Sequence, residues 1–87
     1  MDIKHKTEIP NYSLEELAEK VGDLRYDSLE QFLLLLSNKI ISDSLSDKRG
    51  GREKLASHLL DTSNALLEAS THIKNSWNIS RKHMSND

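Results

Sequence analysis

Two adjacent glycines near the middle of the chain, Gly50 and Gly51, place the strongest constraint on what it can fold into. They stand in a charged run, Asp47 to Arg52, between two segments whose apolar residues recur at helical spacing. Glycine pairs among charged residues are typical of turns, and a short turn makes the helices on either side antiparallel neighbours. We therefore expect an all-α fold based on an antiparallel helical hairpin, with helices at about 28–45 and about 52–77.

Each helix of this hairpin carries an apolar stripe that predicts packing against the other. The stripe of the first helix alternates steps of four and three along Leu29, Leu33, Leu36 and Ile40. The second helix has a heptad seam of nearly three repeats, which consists of Leu55, Leu59, Thr62, Leu66, Ala69 and Ile73. Leu60 and Leu67 widen that seam on one flank.

A third, shorter helix is predicted before the hairpin, at about 13–21. Ser13 and Glu16 have the spacing of a capping box, and Gly22 is a good stop signal. Its apolar stripe is Leu14, Leu17, Ala18 and Val21. Because a helix of this length is unstable alone in water, we expect it to pack against the hairpin.

The rest of the chain divides around one helical domain, residues 13–78. Residues 1–12 are mixed polar and are interpreted as a flexible arm, and residues 79–87 as a polar tail. Asp27 is the predicted N-cap of the first hairpin helix. No signal-peptide core is visible, the longest apolar run is Phe32–Leu36, and there is no cysteine. These features fit a cytoplasmic protein without a membrane span.

Four consecutive leucines, residues 33–36, lead to a prediction of self-association. At about 100° per residue they surround most of the helix, so one partner helix leaves some of them in water. Each leucine left exposed forfeits roughly 1.5–3 kcal/mol of possible burial, against about 5–15 kcal/mol of stability expected for a whole domain. We expect a homodimer resembling a four-helix bundle, with Leu34, Ile41, Leu45 and Trp77 as candidate interface residues.

The charges are unevenly distributed, and this suggests a second kind of contact. Residues 1–30 carry a net charge of −4, whereas residues 48–54 carry +3. Lys48, Arg49 and Arg52 are therefore candidates to contact an acidic surface, on another subunit or on a separate protein partner. A solvated turn, or pairing with the acidic first helix, is the alternative.

No motif points to catalysis, a cofactor or a metal. The serines lack a nucleophile-elbow pattern and Gly50-Gly51 lacks the spacing of a phosphate loop. His58 and Asp61 are one helical turn apart, but a zinc site needs at least three protein ligands. We therefore predict no enzyme activity, no cofactor and no metal site.

A DNA-binding interpretation starts from residues 14–22, which look like the first helix of a helix-turn-helix motif. The next helix departs from that pattern, because Asp27, Glu30 and Gln31 stand where a recognition helix needs donors for phosphates and bases. The region is net negative, which opposes DNA binding. A small DNA-associated regulator remains the alternative function. The main prediction is a non-enzymatic interaction or adaptor protein that acts through homo-oligomers or partner helix packing.

Overall fold

The computed structural model describes residues 5–84 and contains three helices in that range. They are α1 (Leu14–Gly22), α2 (Tyr26–Arg49) and α3 (Glu53–Met84). The principal packing is between α2 and α3, which lie side by side as an antiparallel hairpin. The predicted all-α hairpin is confirmed, with both helices longer than the sequence indicated.

The Gly50-Gly51 turn reverses the chain by a hydrogen-bonded cap at the end of α2. The Gly51 N–H donates to the Lys48 carbonyl (3.1 Å), and the Arg52 N–H donates to the Asp47 carbonyl (2.8 Å). This pair of bonds is the Schellman arrangement, which needs a left-handed residue at its centre. Gly51 supplies it with a φ of 82°.

Small residues, and not leucines, occupy the centre of the α2–α3 contact. Ser37 and Ser44 are the buried residues of α2, and they are seven residues apart. The buried residues of α3 repeat at the same interval and are Ala56, Ser63 and Ser70. We call these five residues the serine seam.

The serine seam corrects the predicted contact line in both helices. In α3, the predicted Leu59, Leu66 and Ile73 do lie half-buried beside the seam. The other three predicted positions are each displaced by one residue, so that the buried residues are Ala56, Ser63 and Ser70. Leu55 is 48 % exposed, whereas Ala56 next to it is buried. In α2, Leu36 is 37 % exposed and Ser37 takes the central position. Only a small side chain fits where the two backbones approach most closely, so Ser37 and Ala56 take the central positions in place of the neighbouring leucines.

Buried serines are tolerated here because every hydroxyl has a partner. The Ser37 hydroxyl donates to the Ser63 carbonyl (3.1 Å) and lies 2.8 Å from the Ser63 hydroxyl. The Ser44 hydroxyl donates to the Ala56 carbonyl (2.7 Å), so it too joins the two helices. The Ser70 hydroxyl donates to Leu67 within α3 (2.8 Å). Side chains this small let the two backbones approach closely enough for hydroxyl-to-carbonyl contact.

The short helix α1 forms close to its predicted bounds but packs less than predicted. Gly22 does not stop it, because Gly22 is its last helical residue and Asp23 is the C-cap. The capping box is present: the Ser13 hydroxyl accepts from the Glu16 N–H (3.1 Å), and the Ser13 N–H donates to the Glu16 carboxylate (3.4 Å). However, α1 has no buried residue, and Leu14 is 66 % exposed. Local capping therefore defines this helix more than docking on the hairpin does.

The two ends of the described chain differ from each other. In the N-terminal arm, the Tyr12 N–H donates to the Ile9 carbonyl (3.3 Å) across a turn in which Asn11 has a φ of 75°. At the other end, α3 continues to Met84, so the first part of the predicted polar tail is helical. Residues 1–4 of the arm and 85–87 of the tail lie outside the described residues.

The single chain is flat and extended. Its Cα atoms span 54 × 29 × 13 Å, with a radius of gyration of 16.1 Å; a compact chain of this length has a radius of about 12 Å. Its accessible surface is 7176 Å², whereas a compact monomer of 9.9 kDa exposes about 5,200 Å². Within residues 5–83, Ala56 is the only buried apolar residue.

Enlarging a residue of the serine seam should destabilise the hairpin. Ser63 is fully buried, so Ser63→Leu forces the helices apart and should lower the free energy of unfolding by about 1–3 kcal/mol. The matched control is Asn64→Leu, at the next and exposed position, which should change it by less than about 0.5 kcal/mol. Urea unfolding followed by circular dichroism at one protein concentration measures both. Equal effects of the two variants would show that the seam is not tightly packed.

Candidate interaction surface

Trp77 closes the hairpin at the end opposite the turn. It continues the heptad spacing of the serine seam, seven residues after Ser70, and is half-buried. The Arg25 guanidinium lies over its ring, 5.0 Å from the centroid, which is a cation–π distance. The ring therefore links the start of α2 to the last turns of α3, and part of its surface remains accessible.

Arg25 is also held by Asp27, which does not cap α2 as predicted. The helix begins at Tyr26 with Arg25 as its N-cap, and no side chain caps it. Instead, Arg25 forms a two-point ion pair with Asp27, with N–O distances of 2.7 and 2.8 Å. The hydrogen bonds from Arg25 lower the pKa of Asp27, and those to Asp27 raise the pKa of Arg25. The pair helps to keep the guanidinium over Trp77.

The basic residues of the turn do not form one uniform patch. Arg52 pairs with Asp47 at 2.7 Å, so its charge is partly neutralised within the chain. Lys48 lines a shallow groove of about 370 Å³ between α2 and α3, together with Glu53 and Leu60. Arg49 is exposed at the end of α2. Of the three candidates, Lys48 and Arg49 are better placed than Arg52 to contact an acidic surface.

The candidate interface residues of α2 lie on one side of the hairpin. Ile41 and Lys48 follow Ser37 and Ser44 by four residues, and Leu34 precedes Ser37 by three. All three therefore line the same edge of the serine seam. Leu34 and Ile41 are half-buried. Leu45, one turn beyond Ile41 and farther from α3, is 52 % exposed. The structure thus brings these three apolar residues together, whereas Trp77 lies at the end of the hairpin.

Two leucines of α3 extend this apolar surface. Leu60 follows Ala56 by four residues and Leu67 follows Ser63 by four, so both lie along the same edge of the seam as Lys48. They are 47 % and 36 % exposed. We call Leu34, Ile41, Leu60 and Leu67 the open face. The sequence placed Leu60 and Leu67 on one flank of the predicted heptad seam. The hydrogen bonds between the seam residues were needed to show that Leu60 faces Ile41 and that Leu67 faces Leu34.

The other broad side of the hairpin carries both apolar and charged residues. Next to the serine seam on this side lie half-buried apolar residues, each four residues before a position of the seam's heptad series: Leu33, Ile40, Leu59, Leu66 and Ile73. Leu36, Asp43, Leu55 and Thr62 lie farther out on the same side. Asp43 pairs with Lys39 on this side at 2.6 Å. His5 of the N-terminal arm lines a depression there with Lys39, Asp43, Ser46 and Asp47. We call this side the arm face.

Residues 5–84 contain neither a metal-binding cluster nor a membrane-spanning helix. No group of three or more histidine, aspartate or glutamate residues in that range is arranged to hold a metal ion. No helix in the same range is both long and apolar enough to cross a membrane.

Comparisons with known proteins add no relative. No family model matches the chain, and neither a curated protein nor a solved structure shows detectable similarity to it.

Removing the Arg25 side-chain charge should raise the pKa of Asp27. In the intact protein that pKa lies below its ordinary value because Arg25 donates hydrogen bonds to the carboxylate. Arg25→Gln should raise the pKa of Asp27 toward the ordinary value of an exposed aspartate, whereas Arg49→Gln, a distant control, should leave it unchanged. A carboxyl-carbon NMR titration measures both.

The pH dependence of the Arg25–Asp27 pair follows from the same shift. Because folding lowers the pKa of Asp27, the contribution of the pair to stability is present above the unfolded-state pKa and is lost as the pH falls through the folded-state value. An Asp27 pKa that Arg25→Gln leaves in place would contradict the ion pair in solution.

Proposed function

We propose that this protein is a non-enzymatic interaction module that works by helix packing, either with copies of itself or with a partner helix. The observation that carries the proposal is the amount of apolar surface that one chain leaves in water. Many of its large apolar side chains are more than a third exposed, among them Phe32, Leu35, Leu45, Leu55 and Leu60.

The excess surface has the size of a protein–protein interface. One chain exposes 7176 Å², about 2,000 Å² more than a compact monomer of its mass. A standard interface removes about 800 Å² from each partner, and the interfaces of permanent assemblies remove more. Association through one broad side of the hairpin would therefore remove a substantial part of this excess surface, and a large interface of the permanent kind would remove most of it.

The energetic need for such burial is large for a chain of this size. A hairpin alone covers only about half of the surface of its unfolded chain, less than small stable domains do. Each leucine that moves from water into an interface contributes roughly 1.5–3 kcal/mol. A few such residues match the whole stability of a typical domain. A homodimer with the character of a four-helix bundle is the assembly that we propose.

The basic turn gives the proposal a second element. Lys48 and Arg49 would contact an acidic surface on a protein partner, and Arg52 would contribute less because Asp47 already binds it. Attraction between exposed charges weakens as salt screens them. This contact would therefore affect the choice of partner more than the strength of binding.

Sedimentation equilibrium tests the proposed self-association. Across about 1–100 µM protein at physiological salt, with a Debye length of about 8 Å, we expect the average mass to rise from near 9.9 kDa toward twice that value. The control is the same series in urea, in which the mass should stay at one chain. If the mass remains that of one chain up to about 100 µM, the homodimer proposal is wrong. Such a result would mean a dissociation free energy below roughly 5.5 kcal/mol.

A further inference from the structure

We infer that the open face (Leu34, Ile41, Leu60 and Leu67) is the surface through which two copies of this chain pair. The inference rests on the proposed function and specifies it, since it names the occupant and the side of the hairpin. Three observations support it: the row pattern of the face, the charges at its ends, and the contrast with the arm face.

The open face has a regular pattern across the two helices. The serine seam sets the register, because Ser37 bonds to Ser63 and Ser44 to the Ala56 carbonyl. In this register Ile41 lies level with Leu60, and Leu34 lies level with Leu67. The centre of the face is therefore two consecutive apolar rows, one helical heptad apart. A second hairpin can lay its own two rows across them, as in a four-helix bundle.

Charged residues of both signs stand at the two ends of these apolar rows. One heptad beyond Ile41 and Leu60 come Lys48 and Glu53, which line the same groove. One heptad in the other direction from Leu34 and Leu67 come Asp27 and Lys74.

Such ends are complementary to themselves. A two-fold axis parallel to the helices brings Lys48 of one copy opposite Glu53 of the other at the turn end, so like charges do not oppose the pairing there. At the other end Lys74 comes opposite Asp27, which contributes less because Arg25 already binds it. This pattern favours a second copy over a partner with only one sign of charge.

The arm face is a poorer candidate for the same role. It carries the Lys39–Asp43 ion pair at its edge, and the N-terminal arm lies near that pair. The apolar residues of α3 on that side, Leu59 and Leu66, are already half-buried in the hairpin contact, whereas Leu60 and Leu67 of the open face are exposed. Pairing through the arm face would place polar groups in the contact, which costs free energy unless each finds a partner.

Two leucines of α3 provide a matched pair for testing the inference on the unaltered protein. Leu60 on the open face is 47 % exposed in the single chain, and Leu55 on the arm face is 48 % exposed. With methyl-labelled protein at a concentration where sedimentation shows dimers, a water-soluble gadolinium chelate should broaden the Leu55 methyl signals more than those of Leu60. Equal broadening, or stronger broadening of Leu60, would overturn the inference.

Variants separate failure of this inference from failure of the proposed function. Leu34→Glu places a carboxylate in the open face and should weaken dimerisation at least about a hundredfold. The matched control is Leu35→Glu, the next residue, which is 56 % exposed on the side of α2 away from α3; it should leave the dissociation constant within about threefold. A wild-type dimer that survives Leu34→Glu but not Leu55→Glu would refute the open face and keep the self-association. A wild-type monomer would refute both.

Discussion

The close approach of two helices at buried serines determines the rest of this structure. Ser37 and Ser63 meet hydroxyl to hydroxyl at 2.8 Å, and Ser44 reaches a backbone carbonyl of the facing helix. These contacts need small side chains on both helices at heptad intervals. They also need each hydroxyl to be satisfied, since an unpaired buried hydroxyl costs about 1–3 kcal/mol. The seam thus fixes the register of the hairpin while burying little apolar surface.

A hairpin joined in this way places its larger side chains at the margins of the contact. Leu34, Ile41, Leu60 and Leu67 flank the seam on one side, where they are covered only in part. A hairpin with leucines at the centre of its helix contact would bury more apolar surface within one chain and would leave less apolar surface for a partner. Because the large side chains lie at the margins of the contact, the molecule is flat, 13 Å in its shortest dimension. Its large exposed surface has the same cause. Self-association is the proposal that gives this surface a use.

The sequence predicted the architecture well because the strongest signals were local. The Gly50-Gly51 turn and the Ser13–Glu16 capping box each depend on a few neighbouring residues, and both formed as expected. The contact line was harder, because it depends on which residue of each turn lies nearest the facing helix. A hydrophobicity pattern assigns leucine to that position, and cannot show that Ser63 has a hydroxyl partner 26 residues away. The repeat of serine or alanine at 56, 63 and 70 was the available signal.

The candidate interaction surface was predictable to a similar extent. The crowding of four leucines pointed to Leu34 and Ile41 as residues that the hairpin could not fully cover, and both lie half-buried on one edge of the seam. Their partners in α3 followed only from the register. Arg52 looked like part of a cationic patch, but its pairing with Asp47 depends on the shape of the turn. The role of these surfaces in binding stays a prediction.

The central claim is that one chain buries too little to be fully stable and gains the rest by pairing. Thermal unfolding followed by circular dichroism at several protein concentrations tests this most directly, because a dimer that unfolds to single chains has a concentration-dependent midpoint. Between about 5 and about 500 µM, we expect the Tm to rise by about 5–10 °C. A Tm that stays constant within about 1 °C across that range, with the mass of one chain, would contradict the account.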